Sequence, residues 1–172
     1  MKFITLCAIV SAGLPTTLRA NLGDTQTEIH KHYGKPISIP VSMTNQDLTE
    51  TFVYKQFVIE VTFIGGQCQR ENYKKKNKGG FTEQEIQALL DSNANGHTWS
   101  LMNDTDKVKI WVQDSKEAFA GYYKTDPYLS LETVVMLQFT NTVKAMMEKA
   151  REHPQAPPPP PPQQNVPQSL KP

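Results

Sequence analysis

Apolar positions along the chain repeat at two spacings, and each change of spacing marks a new element. Ile29 and Tyr33 fall four apart behind a Thr25-x-x-Glu28 capping box, in which hydroxyl and carboxylate satisfy orphan amides reciprocally. Gly34 and Pro36 close that helix. Ile37 to Asp47 is mixed and polar, and is expected to be loop with room for a short strand. Thr51–Tyr54 predicts one strand. Phe57, Ile59, Val61 and Phe63, alternating with Val58, Glu60 and Thr62, predict a second. Gly65-Gly66 supplies a tight hairpin turn. A two-residue turn pairs Phe63 with Cys68 on the inner face, yet it also points Arg70 inward beside Val61. A bulge that resets the register and buries Tyr73 is therefore expected.

The second half opens with the same device. Thr82 and Glu85 form a capping box, Phe81 is placed to staple to Ile86, and Ile86, Leu89 and Leu90 make the apolar face up to Asn95-Gly96. Three strands are predicted next. His97–Met102 holds Trp99 and Leu101. Lys107–Gln113 holds Val108, Ile110 and Val112 in alternation, with Trp111 on the other face. Ala118–Lys124 holds Phe119, Tyr122 and Tyr123. Thr133–Phe139 predicts a last strand, although Leu131–Phe139 also suits a helix, and Thr142–His153 predicts a final helix. Thr-x-x-Glu-Ile occurs at Thr25 and again at Thr82, each time before strands, so two helix-hairpin repeats are a further expectation.

The two ends differ from this middle. Lys2 precedes an apolar run from Phe3 to Leu14, Pro15 ends it, and Leu18-Arg19-Ala20 leads to Asn21. That is the charged, apolar, cleavable layout of a secretory signal. The run of about 12 residues is well short of the ~20 needed to span a bilayer. Cys7 follows Leu6 too early to be a lipid-attachment site, so the exported chain is expected to carry no lipid anchor. From Pro154 the chain collapses to Pro, Gln and Ala, with an unbroken Pro157–Pro162 run, which favours a disordered, polyproline-type tail. The expected organisation is a signal peptide over 1–20, a single α+β domain over 21–153 and a tail over 154–172. The domain is expected to be an antiparallel sheet with short helices on one face.

Composition narrows the function classes. The 172 residues carry 18 basic and 17 acidic side chains, a net charge of +1. The leader holds Lys2 and Arg19 and no acid, so its removal leaves 16 against 17, or −1. Such balance exerts no global pull toward nucleic acid or anionic membrane. With Cys7 in the leader, Cys68 stands alone in the rest of the chain, so no internal disulfide is available and an apolar core must hold the fold.

The segment from Leu22 to Tyr73 has a Gly-led, capped short helix ending in Gly34-Lys35-Pro36. A loop follows, then strands ending in Phe63, a Gly turn and an inward residue. It resembles the small outer-membrane lipoprotein family (SmpA/OmlA, BamE-like) that accompanies the β-barrel assembly machine. That resemblance implies two short helices packed on a small antiparallel sheet. The chain departs from it at Tyr33, where that family has an aliphatic residue, in lacking the anchor cysteine, and in the whole of Phe81 to His153. Over its full length the chain is similar to exported bacterial proteins. These share a Gly-Asp/Glu-Thr helix start, an N-terminal hairpin and a Thr/Ser-x-x-Glu-Ile-x-x-Leu-Leu helix before a Trp. The likeness implies export and fold and carries over no functional residue.

Candidate chemistry is sparse. Cys68 would need a lowered pKa and a histidine partner to act as a nucleophile, and its inner-face position suits a core residue better. His30 and His32 are two apart on a helix and point in different directions, unlike a metal pair four apart. Asp104 and Asp106 lack the glycine and terminal glutamate of a calcium loop. No catalytic, cofactor-binding or metal residue is assigned. Arg70, Lys74, Lys75, Lys76 and Lys78 form the dense positive run, either an anion-binding patch or a solvated strand end. Trp99, Trp111, Tyr122 and Tyr123 lie on successive predicted strands and form a candidate contact surface for a protein or glycan. The expected function is a non-enzymatic exported protein, periplasmic or secreted, that binds an envelope partner without nucleic acid, cofactor or membrane span. The alternatives are a small exported hydrolase using Cys68 or a carboxylate pair, and an inhibitor-like binding module.

Overall fold

A computed structural model describes residues 21–152 apart from Met43, Asn45 and Gln46. The predicted signal and the Pro-rich tail lie outside the described residues. Ten elements follow in order: α1 (Gln26–Tyr33), β1 (Asp47–Tyr54), β2 (Phe57–Ile64), β3 (Gln67–Lys75), α2 (Glu83–Ser92), β4 (Trp99–Asp104), β5 (Val108–Gln113), β6 (Ala118–Tyr123), β7 (Tyr128–Thr133) and α3 (Val134–Glu152). The seven strands form one antiparallel sheet in the order β1-β2-β3-β7-β6-β5-β4. Two meanders thus meet where β3 pairs with β7, and the fold is α+β. The chain divides into two units, one ending at Gln138 and the other beginning at Phe139 within α3.

The capping boxes at Thr25 and Thr82 both form as expected. Each side-chain cap contributes about 1 kcal/mol, which matters for helices this short. The helices bury Ile29 and Tyr33, and Ile86, Leu89 and Leu90, against one face of the sheet. That inner face presents Phe52, Phe57, Ile59, Val61, Phe63, Cys68 and Tyr73 from the first meander. Leu129, Leu131, Ala118, Ala120, Tyr122 and Trp111 continue it across the second. Phe81 is buried where the meanders meet, stacked on Phe57 at 5.6 Å and edge-on to Tyr122 at 5.7 Å.

Gly65 and Gly66 have φ of +60° and +81°, the paired left-handed geometry of a tight hairpin turn. Phe63 pairs with Cys68, and the register then shifts so that Arg70 faces Thr62, Glu71 faces Val61 and Tyr73 faces Ile59. The extra residue is Gln69, whose side-chain oxygen accepts from Thr133 Oγ1 at 2.5 Å. The expected bulge is therefore present, and Tyr73 is fully buried.

Two elements differ from expectation: the final helix expected from Thr142 begins at Val134, as the helical alternative for Leu131–Phe139 allows, and the last strand lies earlier. The last strand is Tyr128–Thr133, and Thr133–Phe139 is not a strand, because α3 begins at Val134. The Thr133 hydroxyl accepts from the Met136 amide at 3.2 Å, a helix start that outweighs the β-preference of Val134 and Val135. Leu129 and Leu131 are fully buried in the strand, at the seam between the meanders. Leu131→Ala should cost about 3 kcal/mol of unfolding free energy by urea titration, whereas a cost under about 0.5 kcal/mol would show that the seam is not part of the core.

Candidate functional site

Side chains of successive strand residues leave opposite faces of the sheet, so the bulge at Gln69 decides what β3 sends to each side. Toward the helices it sends Glu71 and Tyr73; away from them it sends Arg70, Asn72 and Lys74. Each set forms a cluster of its own.

On the inner side the Glu71 carboxylate is fully buried. It accepts from Tyr73 Oη at 2.5 Å, from Tyr33 Oη at 3.3 Å and from Asn93 Nδ2 at 3.4 Å, and the two phenols are 2.8 Å apart. Asn93 also accepts from the Leu22 amide through Oδ1 at 3.1 Å and from Gln113 Nε2 through its carbonyl at 3.0 Å. Burial pushes the Glu71 pKa from 4.5 up to about 7, against the three hydrogen bonds, which lower it. The phenols of Tyr33 and Tyr73 are pushed well above their ordinary range, first by burial and then by the charge of Glu71. This cluster is closed off by α1 and α2 and fastens them to the sheet. At the edge, Glu50 plays a similar part, accepting from Gln26 Nε2 at 2.8 Å and from His30 Nε2 at 2.7 Å.

On the outer side, two depressions of about 290 and 300 Å³ lie next to each other and share Glu60, Arg70 and Asn72. One extends over Thr62 and Thr49 toward Val41; the other extends over Ser130 to Glu132, Tyr123 and Tyr128. Together they form a groove running across β1, β2, β3, β7 and β6. Cross-strand pairing aligns Thr51, Glu60, Asn72, Ser130 and Gly121 along its length. The rings of Tyr123 and Tyr128 stack at 4.3 Å and 10°, with Lys74 Nζ 5.6 Å from the Tyr128 centroid. Tyr123 leans over Gly121, where an added Cβ would meet its ring at 3.2 Å. Arg70 Nη2 donates to Thr62 Oγ1 at 3.4 Å. Arg70 Nε and Asn72 Oδ1 are buried atoms with no hydrogen-bond partner among the described residues. Glu132 faces Arg70 across the pair, and burial raises its pKa while Arg70 lowers it.

A larger depression of about 470 Å³ lies beside the bulged residue, among Leu22, Gln69, Asn93, Gln113 and Thr133. Several of its polar groups are paired with one another: Gln113 with the Asn93 and Ala94 carbonyls, and Gln69 with Thr133. It is a packing seam in character, whereas the sheet groove holds orphaned groups.

The structure disperses the sequence-predicted sites. Trp111 and Tyr122 are buried on the helix side, and Trp99 is half-buried with Nε1 donating to the Leu90 carbonyl at 2.8 Å. Of the four aromatics only Tyr123, 40% exposed, reaches the outer face, so they form no common contact surface. Alternation along β5 was legible, but the covered side is that of Trp111, not that of Val108, Ile110 and Val112. The positive run is divided too. Arg70 and Lys74 line the groove. Lys75 is held by Glu85 at 2.8 Å and the Gly80 carbonyl at 2.9 Å, while Lys76 and Lys78 are exposed beyond or at the strand end. Cys68 is fully buried, its Sγ donating to the Arg70 carbonyl at 3.8 Å, and burial pushes its thiol well above the ordinary range. His30 is committed to Glu50, and His97 lies 2.9 Å from Asp114. No group of three or more His, Cys, Asp or Glu among the described residues is arranged to hold a metal ion.

No family model and no curated protein matches the chain. Among solved structures, it is similar to the crystal structure of a DUF4309 family protein, YjgB, from Bacillus subtilis. The identity is 17% over 63% of this chain and 78% of that one, with a TM-score of 0.35. No residue role is taken from it.

Because the folded pKa of Glu71 lies above its unfolded value, its contribution to stability is full below pH 4.5 and lost as pH rises through about 7. Glu71→Gln removes that titration. The difference in unfolding free energy between wild type and Glu71→Gln should shift in favour of wild type by about 3 kcal/mol from pH 8 to pH 4.5. A difference that is flat over this interval, measured by denaturant titration, would contradict the buried position.

Proposed function

We propose that the chain is a non-enzymatic exported protein that binds an envelope partner through the outer face of its sheet. Export is supported by the charged, apolar, cleavable character of residues 1–20 and by the resemblance to envelope proteins. The observation that carries the binding role is the groove floor. Buried polar groups in folded proteins are nearly always paired, and here Arg70 and Asn72, which line both depressions, hold a buried donor and a buried acceptor without partners among the described residues. The hydrolase alternative would need Cys68 as an exposed thiolate. Its burial and raised pKa speak against that role.

We also read the two halves as repeats of one unit. Each begins with a Thr-x-x-Glu-Ile capped helix and continues into an antiparallel meander, and pairing of β3 with β7 then makes one sheet wide enough to carry the groove. The Pro-rich tail is taken as a spacer.

In a bacterial host the protein should be recovered outside the cytoplasm with Asn21 at its N-terminus. A photo-crosslinking amino acid at Tyr123 should form adducts in the envelope fraction, the same amino acid at Ala88 on α2 should not, and Cys68→Ser should leave the adducts unchanged. Cytoplasmic retention, or adducts at Ala88 alone, would overturn the proposal.

A further inference from the structure

The chemistry lining the groove restricts what can occupy it. Charges of both signs line the groove: Asp47, Glu60 and Glu132 against Arg70 and Lys74. A ligand with a large net charge of either sign would meet repulsion as well as attraction there. The orphaned pair asks for something more specific. Arg70 Nε can only donate and Asn72 Oδ1 can only accept. A hydroxyl can serve either one, because it accepts through a lone pair and donates its proton. Ser130 and Thr62 add further hydroxyls beside the same pair.

The groove also offers an apolar wall. The stacked Tyr123 and Tyr128 stand at one end, and Tyr123 is partly exposed. Burial, together with Tyr123, pushes the Tyr128 phenol up to about 12, so it stays an uncharged donor at any working pH. Aromatic rings beside fixed amide, carboxylate and guanidinium groups suit a ligand with apolar C–H faces and equatorial hydroxyls. The groove crosses five strands spaced about 4.8 Å apart, a length of roughly 20 Å, which accommodates a chain of several sugar rings. An extended peptide would instead pair its backbone with a sheet edge, and here the groove lies on a face.

We propose that the outer-face groove binds an uncharged glycan chain. Its hydroxyls pair with Arg70 and Asn72, and a sugar ring packs against Tyr123. This rests on the outer face being the binding surface.

The test is a calorimetric or NMR titration of the purified protein with four neutral tetrasaccharides: cellotetraose, maltotetraose, chitotetraose and mannotetraose. At least one should bind saturably, with affinity changing less than about twofold between low and high salt, as expected where no ion pairs form. Asn72→Ala and Tyr123→Ala should each weaken it at least tenfold, and Lys76→Ala should leave it within twofold. Tyr123 is a surface residue, so its variant stays informative if Asn72→Ala fails to fold. Silence of the whole panel, or binding that ignores both groove variants, overturns the glycan. If the panel is silent while Tyr123 crosslinks to a protein, the glycan inference fails and the binding surface survives. If Tyr123 also yields no adduct of any kind, both fail.

Discussion

Everything distinctive about this fold depends on one extra residue in β3. If Gln69 took a regular place opposite Thr62 instead of bulging, Arg70, Asn72 and Lys74 would turn into the core and Glu71 and Tyr73 would be exposed. Burying an unpaired guanidinium and an ammonium costs far more than one bulge, so the register shift is the cheaper solution. It puts a single carboxylate inside instead, and two phenols and an amide solvate it. The residues expelled by the same shift become the floor of the outer groove. Core and candidate site are thus two consequences of one irregularity.

The Glu71 cluster also explains how the two halves hold together. Tyr33 comes from α1, Tyr73 from β3 and Asn93 from the end of α2, and Asn93 goes on to receive the Leu22 amide and the Gln113 side chain of β5. A buried polar cluster of this kind adds little net stability compared with an apolar one, but it fixes partners and geometry because each group is costly to leave unmade. The apolar seam of Leu129, Leu131, Phe81 and Phe57 supplies the free energy, and the polar cluster fixes helix placement. Anchoring both helices on one face leaves the groove on the other.

Much of this was legible in the chain. Both capping boxes, the Gly65-Gly66 turn, the bulge and the burial of Tyr73 followed from local spacing, since each rests on rules about a few neighbouring residues. Two things did not. Period-two alternation says which residues share a face and not which face is covered, so Trp111 and Tyr122 read as a surface when they are core. The boundary at Thr133 turned on a hydroxyl cap competing with β-branched residues, a contest decided by tertiary pairing of Leu129 and Leu131. The groove itself joins residues from five strands. Its traces in sequence were Arg70 and Lys74 in the positive run, Tyr123 among the aromatics, and the inward problem of Arg70, which pointed to the bulge but not to what the bulge would build.

The account stands on Glu71 facing the core, and the titration of its own carboxyl carbon by NMR reads that directly. A midpoint near 7 is the result expected of a buried carboxylate held by two phenols and an amide. A midpoint near the ordinary 4.5 would contradict a Glu71 carboxyl whose burial outweighs its three hydrogen bonds.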